Sequence, residues 1–188
     1  MKTEKRYLVP NDYMADPAVH VFDGKLYIYP SHDWESGIAE NDNGDHFNMK
    51  DYHVYSTDDV MNGEITDHGV VLSTEDIPWA GRQLWDCDVA LKNGKYYMYF
   101  PLKDRNDIFR IGVAVSDKPY GPFVPEANPM KGSYSIDVFT AVPIRNLSFK
   151  ASFKVFFSCA EAIEEPAINA ATTHKNDTVV FVEIFIFI

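Results

Sequence analysis

Short β-prone runs alternate with turn residues along the first two thirds of the chain. Val19-His20-Val21-Phe22 and Leu26-Tyr27-Ile28-Tyr29 flank Asp23-Gly24. A two-residue Asp-Gly between such runs is the strongest short-range signal for a β-hairpin. Asn93-Gly94 repeats the arrangement ahead of Tyr96-Tyr97-Met98-Tyr99. A further strand follows each hairpin, His53-Val54-Tyr55-Ser56-Thr57-Asp58 in one case and Gly112-Val113-Ala114-Val115-Ser116-Asp117 in the other, each closing on a hydroxyl residue and an aspartate. The pattern predicts about four short strands per copy. Farther on, Leu147 to Phe157 sets apolar Leu147, Phe149, Ala151, Phe153, Val155 and Phe157 against polar Ser148, Lys150, Ser152 and Lys154, which predicts another strand. The last ten residues, Val179 to Ile188, are β-prone and nearly uncharged, a segment that invites aggregation if left on a sheet edge.

The two copies are a true internal repeat. Asp16 pairs with Asp86, Val19 with Val89, Gly24 with Gly94, Lys25 with Lys95, Tyr27 with Tyr97 and Tyr29 with Tyr99, every pair 70 positions apart. A fixed period of that size indicates one supersecondary unit used repeatedly, no copy of which can bury its apolar face alone. Four antiparallel strands per unit suit the blades of an all-β propeller better than a solenoid, whose repeats are usually shorter. In a propeller, equivalent positions of neighbouring blades point at one central cavity. The repeat alone therefore nominates Asp16 and Asp86 as equivalent axial carboxylates.

Composition narrows the chemistry. At 46% hydrophobic and 14% aromatic residues, with 10 Gly and 11 Pro in 188 residues, the chain lies far from disordered and collagen-like classes. The net charge of −11 has the wrong sign for a phosphate-binding surface, and no basic run appears, so nucleic acid is not an expected partner. Met1-Lys2-Thr3-Glu4-Lys5-Arg6 leads into no apolar stretch of signal-peptide type and no run reaches membrane-spanning length, which together predict a cytoplasmic setting. Cys87 and Cys159 are expected as reduced, buried thiols, in keeping with that compartment.

Dinucleotide, P-loop, zinc-protease and serine-hydrolase signatures are all missing from the sequence. Asn41-Asp42-Asn43-Gly44-Asp45 fails as an EF-hand loop because Ala39 falls where the first carboxylate should be, which leaves a solvated loop. His20, His46, His53, His68 and His174 show no metal-site spacing, so no metal-ligating residue is expected. What remains is a chain rich in aspartate and flat rings, the side chains of carbohydrate sites.

Three segments sharpen this reading. Tyr13-Met14-Ala15-Asp16-Pro17-Ala18-Val19, Leu84-Trp85-Asp86-Cys87-Asp88-Val89 and Gly132-Ser133-Tyr134-Ser135-Ile136-Asp137 resemble, in order and spacing, three signatures of glycoside hydrolase family 43. The resemblance covers about residues 8 to 139. It implies a five-bladed β-propeller, of which 188 residues hold about two and a half blades. It further implies inverting hydrolysis of xylosidic or arabinofuranosidic bonds, with a xylo- or arabino-oligosaccharide as the partner. No cofactor is implied, although a structural calcium occurs on the axis of some family members. By the same resemblance Asp16 is the general base and Asp137 the aspartate that orients the acid and raises its pKa. Trp85 becomes a candidate stacking platform for sugar, against its alternative as an ordinary core indole. Asp86 and Asp88 stand as secondary candidates, one lining the pocket and the other solvated at a strand start. His32 and Asp33 in Ser31-His32-Asp33-Trp34 follow the first hairpin as either a subsite wall or a satisfied surface cluster.

The pattern breaks after Asp137, where the family's Asp-Pro-Ala-Val-Phe is replaced by Asp137-Val138-Phe139-Thr140. Residues 1–139 are thus expected to be the N-terminal part of a propeller, and residues 140–188 an atypical tail, frameshifted or misjoined. The family's acid, a glutamate in Glu-x-Pro-His, has only a partial counterpart in Glu164-Glu165-Pro166-Ala167. Two readings stay open: a glycosidase by descent whose present copy lacks its acid, and a carbohydrate-binding fragment that hydrolyses nothing.

Overall fold

The computed structural model describes residues 7–133. Asp137, Cys159, Glu164 and both C-terminal strand expectations lie outside the described residues. Within them the chain forms β1 (Met14–Phe22), β2 (Lys25–Asp33), β3 (Met49–Thr57) and β4 (Thr66–Ser73), then β5 (Ala80–Arg82), β6 (Asp88–Lys92), β7 (Lys95–Asp104), β8 (Phe109–Ser116) and β9 (Val124–Pro125). A single 3-10 turn at Thr74–Asp76 precedes β5. The first four strands make an antiparallel sheet in sequence order. In the second sheet β5 and β6 share one edge of β7, pairing with opposite ends of that long strand, so the order across it is β5/β6, β7, β8, β9.

Both expected hairpins are present, and their turns explain themselves. Asp23 and Gly24 sit at φ 51° and 81°, Asn93 and Gly94 at 52° and 74°. Two consecutive left-handed residues match the twist of the flanking strands, which is why Asp-Gly and Asn-Gly occupy these positions.

Each sheet turns one face toward the other, and one buried cluster fills the space between them. Tyr27, Tyr29, Tyr52 and Val54 of the first sheet meet Val89, Tyr96, Met98, Phe100 and Leu102 of the second. Phenols are costly to bury unless the hydroxyl finds a partner. Tyr29 donates to the Pro119 carbonyl at 2.7 Å, and Tyr52 donates to the Trp85 carbonyl. Both acceptors belong to segments of the second sheet, so these hydroxyls cross the interface. Backbone bonds from Leu84 N–H to the Met49 carbonyl (3.0 Å) and from Phe123 N–H to the Val71 carbonyl (3.0 Å) stitch the same seam. Cys87 is free and buried there, and burial raises its thiol pKa well above the ordinary range, so it is an inert core residue.

The space is filled tightly enough to dictate glycine at one strand position. Phe100 stacks on Trp79 with planes 6° apart, and Gly112 lies directly opposite Phe100 on β8. A Cβ at Gly112 would stand 2.2 Å from a Phe100 ring carbon and 2.9 Å from Trp79.

The β2–β3 connection reaches across to the second sheet. Arg82 of β5 donates to Asp45 at 2.6 Å and binds Asp107 with two nitrogens at 2.7 and 2.9 Å, while Gln83 donates to the Gly44 carbonyl at 2.5 Å. The loop read from sequence as merely solvated is therefore a strap anchored on Arg82. The guanidinium holds both Asp45 and Asp107 below the usual carboxylate range.

Two outcomes follow from this packing. Gly112→Ala should lower stability by about 1–3 kcal/mol through overpacking against Phe100, read as a shift in the urea midpoint; an unchanged midpoint would mean the interface is loosely packed. Because the Asp45 and Asp107 pKa values are depressed in the folded chain, the strap's hold is fully present above the ordinary carboxylate pKa and fades as pH falls through the lowered values. Amide exchange in residues 41–47 should thus be faster in Arg82→Gln than in the parent at neutral pH, with the ratio approaching one as pH drops below about 4. A ratio of one at every pH would show that the strap is held by something else.

Candidate active site

Asp16 owes its position to a bulge whose cause is visible in the sequence. Ala15 pairs with Ser31 and Ala18 with Tyr29, so Asp16 and Pro17 together face the single residue Pro30. Neither proline has an N–H to give to a ladder, so the extra residue falls where hydrogen bonds would be lost in any case. The bulge puts Asp16 at φ 45°, a region that aspartate tolerates better than most side chains, and leaves it exposed. Ser31 is fully buried and its hydroxyl donates to the Ala15 carbonyl at 3.2 Å, which pins the backbone just before the bulge.

Asp33, at the end of β2, is the carboxyl that the fold brings beside Asp16. Its N–H donates to the Tyr13 carbonyl at 2.9 Å, tying the β2 end to the segment entering β1. Burial, and after it the Asp16 carboxylate, raise the Asp33 pKa, while His32 pulls it back down. Asp33 is thereby pushed toward the protonated form.

His32 belongs to a satisfied cluster, but a buried one rather than one at the surface. It is buried, with Nδ1 2.5 Å from Asp51 Oδ1 and Nε2 3.3 Å from Asp12 Oδ1. The other oxygen of Asp51 accepts from the indole N–H of Trp34 at 3.0 Å. His32 thereby helps fix the half-exposed ring of Trp34, which follows Asp33 in sequence.

Trp85 is walled by aromatic rings from both sheets, Phe109 at 4.6 Å and Phe47 of the strap at 5.7 Å edge-on. Its Nε1 is buried with no hydrogen-bond partner among the described residues, and Gln83 Oε1 is in the same position. A buried donor and a buried acceptor without partners, two residues apart in sequence, are rare in a satisfied core. Gln83 is also at φ 61°. Sequence reasoning overlooked Gln83, since nothing in Arg82-Gln83-Leu84 marks it without the fold.

Asp86 is half-buried just ahead of β6. Asp88 is not the solvated member of the pair: it is 9% exposed, accepts from His20 Nε2 at 2.5 Å and also accepts the Val89 N–H at 2.8 Å. That bond joins β1 to β6, the strands at whose starts the two repeat-related aspartates lie. Asp88 thus serves to hold neighbouring strands together. Asp137 lies outside the described residues, so its relation to Asp16 is not part of this geometry.

The arrangement comprises an exposed carboxylate on a constrained bulge, a second acid beside it, and an aromatic wall with unspent polar atoms. The family model for glycosyl hydrolases family 43 matches residues 6–143. A xylosidase/arabinosidase of Bacteroides ovatus is 94% identical over 137 residues, which is 73% of this chain and 42% of that protein. A β-xylosidase of Xylanibacter ruminicola is 59% identical over 133 residues, 70% of this chain and 42% of the relative. Among solved structures, RS223-Beta-xylosidase superposes with a TM-score of 0.70 at 82% identity, covering 71% of this chain and 42% of that one. A β-xylosidase/α-arabinofuranosidase from a compost microbial metagenome, solved with xylotriose in a calcium-free form, gives 0.68 at 67% identity, covering 70% and 40%. The chain spans about two fifths of the length of these relatives. Its two antiparallel sheets match part of their propellers, and with the family model spanning all the described residues, the chain belongs to glycosyl hydrolases family 43.

Proposed function

We propose that this chain carries the base side of a pentose-releasing glycosidase, as the first blades of a five-bladed propeller that hydrolyses xylosidic or arabinofuranosidic bonds with inversion. The observation that carries the proposal is the Asp16 bulge. A non-glycine residue held at positive φ costs about 1–3 kcal/mol, and such strain persists where position matters more than stability. Here the strain presents a carboxylate to solvent from the strand that abuts the second sheet through His20 and Asp88.

Inversion needs a water between base and anomeric carbon, with the acid on the opposite side of the sugar, roughly 6.5–9.5 Å from the base. Asp16 is the base in this scheme. Asp33, whose pKa is raised by burial and then by Asp16, lines the rim beside it, and Asp16 accepts the proton from water. Trp85 supplies a flat face for the pentose, and its N–H with Gln83 Oε1 supplies a donor and an acceptor for sugar hydroxyls. By the family resemblance Asp137 would orient the acid, for which this chain offers only the partial counterpart Glu164. The relatives' activities, xylosidase and arabinosidase, support the substrate class, as do relatives solved with xylotriose.

The second reading, a carbohydrate-binding fragment without hydrolysis, is favoured for the 188-residue chain by itself, because it spans about two fifths of the relatives' length. The two readings separate in one experiment. Grafting the matching 137 residues onto the remainder of the Bacteroides ovatus relative should give an enzyme active on aryl xylosides or arabinosides. Asp16→Asn in that graft should keep its fold, since asparagine also tolerates the left-handed region. It should keep ligand binding while lowering kcat by roughly 10²-fold or more. The ungrafted chain should show no turnover above background. A graft whose Asp16→Asn variant hydrolyses at the parent rate would remove Asp16 from the base role.

A further inference from the structure

On the face of the first sheet turned away from the second, the fold gathers a donor set that the function above does not use. Asp51 and His53 lie two apart on β3 and so share a face, the one that also carries Tyr55. His32, from the end of β2, joins them. One donor atom from each of His32, Asp51 and His53 lies within 4.8 Å of the other two. Asp51 Oδ1 is 2.5 Å from His32 Nδ1 and 3.9 Å from His53 Nε2. Ligand atoms around a tetrahedral metal with bonds near 2.0–2.1 Å stand about 3.3 Å apart, so shifts of less than about 1 Å in these side chains reach that geometry.

Two further features set this cluster apart from incidental histidines. Both imidazoles have their far nitrogen against a different carboxylate: His32 Nε2 is 3.3 Å from Asp12 Oδ1, and His53 Nδ1 is 3.2 Å from Asp67 Oδ1. Carboxylates behind ligating histidines fix ring orientation and raise ligand basicity, the arrangement that accompanies bound metal in proteins. The cluster is also sheltered. The side chains of His32, Asp51 and His53 are 8%, 10% and 16% exposed, beside an apolar group that includes Met14, Ile28 and Tyr55.

We propose that His32, Asp51 and His53 form a binding site for a first-row divalent transition metal of the Zn²⁺ type, with Asp12 and Asp67 as supporting carboxylates. Two imidazole nitrogens and one carboxylate oxygen suit Zn²⁺ and its neighbours, whereas Ca²⁺ takes oxygen ligands. A metal here joins the end of β2 to β3 immediately behind Asp33. Because Asp51 also holds the Trp34 indole, the occupied site braces both residues at once.

The test uses the 188-residue chain, stripped with chelator and titrated with Zn²⁺ by equilibrium dialysis, then with Co²⁺ by visible absorption. One tight Zn²⁺ per chain is expected, together with a Co²⁺ spectrum of low coordination number, and Ca²⁺ in tenfold excess should not displace either. His53→Gln should abolish the tight site. The supporting role has its own readout: Asp67→Asn alters a half-exposed carboxylate that is no ligand, and should weaken Zn²⁺ affinity by about 10–100-fold without changing the stoichiometry. Absence of stoichiometric Zn²⁺ binding would overturn the proposal. So would binding that survives His53→Gln, that ignores Asp67→Asn, or that Ca²⁺ displaces. If His53→Gln fails to fold, the Asp67→Asn and Ca²⁺ arms decide the matter.

Discussion

The described residues depend on a seam between two sheets, each of which covers the apolar face of the other. The apolar side of each sheet needs a cover if burial is to offset chain entropy. The seam solves this for the facing sides with large rings, and large rings bring hydroxyls. Tyr29 and Tyr52 are fully buried, so each hydroxyl must find an acceptor, and each finds it on the opposite sheet. The polar requirement of a buried phenol thus becomes the device that sets sheet against sheet. His20 and Asp88 repeat the device at the first strands. Loss of that registry would displace Asp16 relative to Trp85, which sit on different sheets.

The candidate active site is a by-product of how proline is accommodated. Pro17 and Pro30 face one another across β1 and β2, and a ladder cannot run through two residues without N–H groups. The resulting bulge turns Asp16 outward at positive φ. A carboxylate on a regular strand would have pointed along the sheet normal, into packing or into solvent above it. At the bulge it is re-aimed, and the buried Ser31 hydroxyl fixes the preceding carbonyl so that the aim is kept. The Arg82 strap closes the other flank by carrying Phe47 against Trp85.

Local features were the legible ones. Asp23-Gly24 and Asn93-Gly94 are hairpins because their φ values demand those residues, and the repeat of 70 positions shows in the sequence because both copies obey the same turn and strand rules. Asp16 was singled out by its motif, and its bulge could have been foreseen from Asp-Pro opposite Tyr-Pro once the hairpin register was fixed. Contacts made across long sequence distance were not legible. Arg82 reaches Asp45 and Asp107 only because the sheets pack. Which of Asp86 and Asp88 is the more buried could not be read locally, because the partner that holds Asp88, His20, is 68 positions away. The His32, Asp51 and His53 cluster escaped a search for metal spacing for the same reason. Its one local sign, Asp51-x-His53 on a strand, places two donors on one face but says nothing of the third.

The proposal that carries the account is that these two sheets form one wall of a pentose site, with Trp85, Gln83 and the Asp16 bulge facing the same ligand. Titrating xylobiose into the isotopically labelled chain and following its nuclear magnetic resonance spectrum tests this most directly. The account predicts that shifts concentrate on the Trp85 indole N–H, the Gln83 side-chain amide and the amides around Asp16 and Asp33, in one saturable transition that Trp85→Ala abolishes. Shifts scattered over the surface, or none at these four positions while ligand binds elsewhere, would contradict it.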